Sequence, residues 1–273
     1  MAPNHYKLLV IDIDGTLVGS SRRISDENKR ALAKARKSGV RVALSTGRSL
    51  KSSLGISKEL SLDSYHIFFD GALVSSIDLA EEIYVQPIDR AVVRRMVEFA
   101  RSHAIDLELF TTTRYFSERE TWSTGAHRRF FGLEATITDF DGLWEQERIV
   151  KGGLVTASSD EETKATLFRT HLADSIHFSQ ARTPAFPGVV FNNLLAPQVS
   201  KGRALEALAA HLGLSLDEVM AVGDGSNDIS LLATAGLAVA MGNARDELKA
   251  LADFVTGDVE HNGLAEVIVR FLL

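Results

Sequence analysis

The chain reads as an α/β protein, a doubly wound and mainly parallel sheet interrupted by an inserted α+β domain, and three observations predict this. Leu8-Leu9-Val10-Ile11 is an apolar run without polar alternation, the pattern of a strand covered on both faces. Such runs alternate with helical periodicity at both ends of the chain, which is the βαβ rhythm of a parallel sheet. Between residues 82 and 188 the rhythm changes to strands that follow one another, which suits a largely antiparallel sheet. The expected division is therefore a core of residues 1–81 and 189–273 and an insert of residues 82–188.

The first strand ends on Asp12-Ile13-Asp14-Gly15. Two carboxylates two residues apart share a face while the chain is extended, and Gly15 breaks the strand behind them. Ser25 is placed to cap a helix whose first turn holds Asp26 and Glu27, which favour the positive end of its dipole. Ala31, Leu32 and Ala35 give that helix an apolar face and Gly39 stops it. Strand 40–44 follows and ends on Ser45-Thr46-Gly47-Arg48; a third strand, 65–69, ends on Asp70-Gly71-Ala72. In the insert, strands are expected near 83–85, 107–111, 149–156 and 176–178, with helices near 89–103 and 160–172, and a strand near 189–195 follows at the return to the core.

The parallel pattern returns with Ser200, a cap for a helix bearing Leu205, Leu208, Ala209 and Leu212, closed by Gly213. Ser215 to Glu218 fit a capping box ahead of strand 219–222. That strand runs into Gly223-Asp224-Gly225-Ser226-Asn227-Asp228, followed by a helix to about Ala235, strands at 237–240 and 254–255, and a last helix from about Gly263.

Composition narrows the function classes. At 273 residues the chain exceeds a typical single domain, and 45% hydrophobic residues suffice for a full core. A net charge of -6 leaves no basic surplus to neutralise a nucleic-acid backbone or an anionic membrane. With no cysteine, disulfides and thiolate metal sites are excluded. The N-terminal stretch lacks a signal-peptide pattern, and no apolar run approaches the roughly 20 residues of a membrane helix, so a cytoplasmic protein is expected.

In a doubly wound sheet, neighbouring strand ends converge on one crevice. Gathering Asp12, Asp14, Asp224 and Asp228 there is costly, since two carboxylates about 4 Å apart repel by roughly 4 kcal/mol at an effective dielectric of 20. All-oxygen ligands suit a hard divalent ion, and Mg2+ takes few carboxylates together with a substrate phosphate. Lys201 adds a positive charge, and Thr46 with backbone N–H groups adds donors for anionic oxygens. Asp12 is best aimed for in-line attack on phosphorus, and Asp14 for proton transfer to the leaving oxygen and from water. Taken singly, the same residues have plainer readings: an Asp pair ends strands in turns, and Asp228 caps the helix it opens. Gly223-x-Gly225 lacks the third glycine of a dinucleotide fingerprint.

Together the four loops resemble, in order, the motifs of the haloacid-dehalogenase (HAD) superfamily of phosphatases: Asp12-Ile13-Asp14-Gly15-Thr16-Leu17, Thr46 in Ser45-Thr46-Gly47-Arg48, Lys201 in Ser200-Lys201-Gly202, and the loop from Gly223 to Asp228. The long insert resembles the α/β cap of the Cof-type (class IIB, C2 cap) branch, which implies a Rossmann-like core. The resemblance implies Asp12 as nucleophile and Asp14 as general acid/base. It further implies Mg2+ held by Asp12, the Asp14 carbonyl and Asp224 with Asp228 nearby, and a phosphoryl group held by Thr46, Gly47 and Lys201. Arg48 would lie at the site's mouth, and Asn227 would help to fix Lys201 or the substrate. The expected activity is a phosphomonoesterase acting on a small phosphorylated metabolite, a sugar phosphate by the resemblance, in a monomer or homodimer. The alternatives are a sugar phosphomutase and a catalytically silent sugar-phosphate-binding protein.

One position departs from the pattern. Where many relatives carry Asn-Gly-Ala, this chain has Asp70-Gly71-Ala72, whose charge would oppose a second anionic group or pair with Arg48. In the insert, Tyr115, Phe116, Trp122, Phe130 and Phe131 are expected as core or substrate-facing rings, with Arg114, Arg128, Arg129, His127 and His177 as further candidates.

Overall fold

A computed structural model describes residues 5–182 and 187–273; Met1–Asn4 and the side chain of Phe130 lie outside the described residues. The strands, in chain order, are β1 Leu8–Ile11, β2 Arg41–Leu44, β3 Tyr65–Phe68, β4 Leu73–Ser76, β5 Glu82–Val85, β6 Glu108–Phe110, β7 Tyr115–Ser117, β8 Thr136–Ile137, β9 Lys151–Thr156, β10 His177–Ala181, β11 Val190–Leu195, β12 Val219–Gly223, β13 Leu237–Ala240 and β14 Phe254–Val255. The order β14-β13-β12-β1-β2 forms an all-parallel sheet in which β1 lies between β12 and β2.

The apolar run at β1 has the expected cause. Leu9 and Ile11 face a layer built with Leu32, Val42, Met220, Val267 and Ile268. Leu8 and Val10 face the other, built with Leu205, Leu208, Leu231 and Ala238. All four are fully buried, each contributing about 1.5–3 kcal/mol from the apolar surface it removes from water. Helices Asp26–Lys37 and Gly263–Leu272 cover one face, and Lys201–Leu212 and Ile229–Thr234 the other. The caps act as the sequence suggests: Ser25 Oγ accepts from the Asn28 N–H at 3.1 Å and Ser200 Oγ from the Arg203 N–H at 3.2 Å, and Gly213 ends its helix at φ 68°.

Several features differ from the sequence reading. The third strand, β3, is a hairpin arm: it pairs antiparallel with β4, which pairs with β5, and it meets the parallel sheet through an isolated bridge between Ser45 and Ile67. A helix at Leu50–Glu59, absent from that reading, fills the connection between β2 and β3. The insert folds as a second sheet, β10-β11-β9-β6-β7-β8, antiparallel except for β7 with β8. Helices Arg90–Ser102 and Ser159–His171 share its core through Val93, Met96, Val97 and Phe168.

By strand pairing β5 sides with the core and β11 with the insert, whereas the sequence division put residues 82–85 in the insert and 189–195 in the core. We therefore propose junctions at residues 86–88 and 196–200. An apolar cluster joins the two parts, with Leu50, Phe68 and Phe69 from the core packed against Phe110, Tyr115 and Leu195 from the insert.

Candidate active site

The site forms where β1, β2 and β12 end. Ladder bonds carry past the strands: the Asp12 N–H donates to the Val222 carbonyl at 3.0 Å and the Ser45 N–H to the Ile11 carbonyl at 2.8 Å. The three loops that follow are thereby held side by side. Gly15 turns the first loop at φ 97°, and a Cβ there would stand 2.2 Å from Asp224 Oδ2. That position needs glycine twice, once for its left-handed backbone and once for the close approach of a carboxylate.

Lys201 reaches the crevice from the first turn of its helix and is 1% exposed. Its ammonium donates to Asp12 Oδ1 and Asp228 Oδ1, each at 2.6 Å, and to the Ser45 carbonyl at 3.1 Å. Burial disfavours that charge, yet Asp12, Asp228 and Asp70 outweigh it and hold the Lys201 ammonium above its ordinary range. The other oxygen of Asp228 accepts from the N–H groups of Asp224 and Gly225 at 3.0 and 2.9 Å. Asp228 thus ties the fourth loop to itself and to Lys201.

One cation does not balance this group. Burial, and then the charge of Asp228, push Asp12 well above the usual carboxylate range against the pull of Lys201. The same two causes push Asp224 up to about 7, although Thr16 Oγ1 donates to it at 2.8 Å. Asp12, Asp224 and Asp228 each offer a ligand oxygen within 4.8 Å of the others. A hard cation fits such a set: it has oxygen donors only, and the unrelieved carboxylate repulsion is what a cation removes.

Asp14 lies at the mouth of the crevice, where Arg48 Nε and Nη2 donate to its two oxygens at 2.7 and 2.6 Å. Arg48 thus pairs with Asp14 rather than with Asp70. Thr46, 1% exposed, accepts the Arg48 N–H at 3.1 Å, and Gly47 accepts at its carbonyl from Lys151 Nζ at 3.1 Å. Asn227 donates to Asp70 Oδ1 at 2.8 Å and contacts neither Lys201 nor its partners among the described hydrogen bonds. Asp70 also accepts from Ser179 at 2.8 Å and Asn193 at 2.5 Å, both from the insert. Burial would raise Asp70, but Lys201, Lys151 and these donors hold its carboxyl below the usual range.

All nine expected residues cluster about this crevice. Asp12, Asp14, Thr46, Gly47, Arg48, Asp224 and Asn227 line a cavity of about 260 Å³, while Lys201 and Asp228 stand behind its acidic end. The opposite wall comes from the insert through Phe110, His127, Phe131, Lys151, Gln180, Arg182, Phe191 and Asn193. Of these, only His127 and Phe131 carried any signal in the sequence; Lys151 and Asn193 arrive through the pairing of β9, β6 and β11, which no local pattern announces. Arg114 pairs with Glu147, and Arg128 with Glu120 and Glu134, on the insert's own surface. Trp122 is exposed and donates to Glu161. No helix among the described residues is long and apolar enough to cross a membrane.

A doubly wound core, an inserted lid and a buried lysine among aspartates at the strand ends define a class, the capped phosphatases. The chain belongs to the haloacid dehalogenase-like hydrolase family, whose model matches residues 9–268. It is 30% identical over 285 residues to phosphatase YwpJ of Bacillus subtilis, covering 97% of this chain and 100% of that protein. It is 29% identical to the B. subtilis 5-amino-6-(5-phospho-D-ribitylamino)uracil phosphatase YcsE, over 98% and 96% of the two chains. It also spans 97% of its own length, but 46% of the other protein's, in a match of 28% identity to the chloroplastic endoribonuclease YBEY of Arabidopsis thaliana. The structure of a haloacid dehalogenase-like hydrolase from Bacteroides thetaiotaomicron superimposes with a TM-score of 0.84 at 26% identity, covering 97% of this chain and 99% of that one.

Proposed function

We propose that this phosphatase is a Mg2+-dependent phosphomonoesterase that works through an aspartyl-phosphate on Asp12. The observation that carries the reading is the Asp12 carboxylate, buried at the end of β1 with Lys201 on one oxygen and two further aspartates beside it. Lys201 pulls Asp12 towards the ionised form that attacks, against burial and Asp228, and the divalent cation this reading requires would complete that pull. An Asp12 oxygen forms a bond to phosphorus while the ester P–O bond breaks, and the electron pair leaves on the alcohol oxygen. Asp14, in its protonated state, gives that oxygen its proton. A water then attacks phosphorus, Asp14 takes the water's proton, the bond to Asp12 breaks, and inorganic phosphate is released. Lys201, Thr46 and the N–H groups of the first loop stabilise the phosphoryl oxygens. Asp12, Asp224 and Asp228, with the Asp14 carbonyl, would hold Mg2+, which supplies Lewis-acid charge for the phosphoryl group.

The substrate in this reading is a small phosphorylated metabolite, in keeping with a cavity of about 260 Å³. Sugar phosphates, the class the sequence resemblance implies, are the first to assay, and we place the enzyme in the cytoplasm. Asp12→Asn keeps the size of the side chain and removes the nucleophile. Phosphate release from p-nitrophenyl phosphate in Mg2+ is expected to fall by at least roughly 10^3-fold. Retention of a tenth of wild-type turnover would refute the assignment.

A further inference from the structure

The insert's wall of the cavity is aromatic. Phe110 from β6, His127 and Phe131 from the helical segment between β7 and β8, and Phe191 from β11 all line it. The rings of His127 and Phe131 lie 5.6 Å apart, His127 and Phe191 5.9 Å, and Phe131 and Phe191 5.7 Å in an edge-to-face arrangement. The group is braced from behind. Glu108 accepts from Tyr115 and Ser123, each at 2.8 Å, and from His127 Nε2 at 3.0 Å. Burial alone would raise Glu108, but His127 and these donors keep it below the usual carboxylate range. An ionised carboxylate only accepts, so Nε2 carries the hydrogen and the imidazole is locked in place. The wall is therefore set before any ligand arrives.

Its position relative to the chemistry matters more. Asp14 is the group that protonates the leaving oxygen, it is clamped by Arg48, and the Arg48 guanidinium lies 5.3 Å over the Phe131 ring. The alcohol leaving phosphorus on the Asp14 side therefore runs along Arg48 onto Phe131. Three polar side chains of this wall already hold protein partners: Asn193 donates to Asp70, Gln180 to Asn192, and Lys151 to the Gly47 carbonyl. A polyhydroxylated alcohol would have to displace those bonds or leave its hydroxyls unmatched, whereas a flat ring needs only the aromatic faces.

We propose that the preferred phosphomonoester carries a planar aromatic or heteroaromatic ring on its alcohol close to the ester oxygen, and that Phe131 and Phe191 determine this specificity. The reaction is unchanged: the P–O bond breaks and the ring-bearing alcohol departs with the proton from Asp14. The inference rests on the phosphatase reading above and narrows its substrate class.

The test compares benzyl phosphate with cyclohexylmethyl phosphate, which differ in the unsaturation of one ring, with ribose 5-phosphate as the polyol and acetyl phosphate as a ring-free activated control. In Mg2+, kcat/KM for benzyl phosphate is expected to exceed that for cyclohexylmethyl phosphate and for ribose 5-phosphate by about tenfold. The ratio of benzyl phosphate to ribose 5-phosphate is expected to drop by roughly the same factor in Phe131→Leu and Phe191→Leu, mainly through KM. Equal or better turnover of ribose 5-phosphate by the wild-type enzyme, which needs no variant to fold, overturns the proposal. So does an unchanged ratio in both variants. Absence of Mg2+-dependent release from all four compounds, acetyl phosphate included, instead sinks the phosphatase reading on which it stands.

Discussion

Gly15 shows how tightly single positions are held at this site. A methyl group there would meet the Asp224 carboxylate at 2.2 Å and would sit on a backbone at φ 97°, a conformation that costs an L residue about 1–2 kcal/mol. Gly15→Ala is expected to lower unfolding free energy by about that amount. By pushing Asp224 from its place it should also weaken activation by Mg2+ roughly 10- to 100-fold. Urea denaturation and a Mg2+ titration of activity measure the two effects; unchanged Mg2+ activation would show that Asp224 tolerates displacement. The residues around this glycine were legible in the sequence because each polar loop directly follows an apolar strand, so type and position coincide at Asp12, Thr46 and Asp224. Lys201 was legible only through the other three loops, since a lone lysine one residue after the helix cap Ser200 reads as a solvated side chain. Asp70 was half legible. Its departure from the usual Asn was visible, but its partners Ser179, Asn193 and Asn227 come from other loops and from the insert.

At the scale of elements, a helix and a hairpin that the sequence does not announce are instructive. The helix Leu50–Glu59 buries Ser53 and Ser57 along with Leu50, so its inward stripe is partly hydroxyl and the apolar periodicity that marks other helices is absent. In β3 the apolar signal marks a strand but names no partner; the turn Phe69–Gly71 folds it straight back onto β4 with Asp70 at φ 54°. Where β3 meets β2, His66 is fully buried and its Nδ1 accepts the Leu44 N–H at 3.1 Å. Nε2 has no partner among the described residues. Burial pushes this imidazole down to about 4, with Asp63 pulling only weakly the other way. Between pH 6.5 and 4 the unfolded chain binds a proton that the folded one refuses, so stability is complete above pH 6.5 and declines as the pH falls towards 4. Going from pH 7 to pH 5 should remove about 2 kcal/mol through this group. Urea unfolding of wild type and His66→Asn across that range checks it: the stability advantage of the wild type should shrink on acidification, and parallel curves would rule His66 out as the source.

At the scale of the molecule, the two parts are coupled through the site rather than beside it. The apolar cluster of Phe68, Phe69, Phe110 and Leu195 supplies adhesion, but it is indifferent to small rotations of the lid. Direction comes from polar bonds that cross the crevice: Lys151 to the Gly47 carbonyl, and Ser179 and Asn193 to Asp70, whose other oxygen is held by Asn227 of the fourth loop. Asp70 thus fastens the lid to the loop that carries Asp224 and Asp228, and a charged acceptor makes those bonds stronger than the usual Asn would. Asp70→Ala removes the acceptor and leaves three donors in its place. Amide exchange in β10 is then expected to quicken by roughly tenfold or more, since a lost charge-assisted bond is worth about 1.5–3 kcal/mol of local opening energy. Exchange in β12, inside the parallel sheet, should stay as in the wild type. Hydrogen-exchange mass spectrometry resolves the two segments. Equal acceleration in both would mean that Asp70 supports the fold as a whole, whereas acceleration confined to β10 makes it the hinge pin between lid and phosphoryl site, and KM should then rise with kcat less affected.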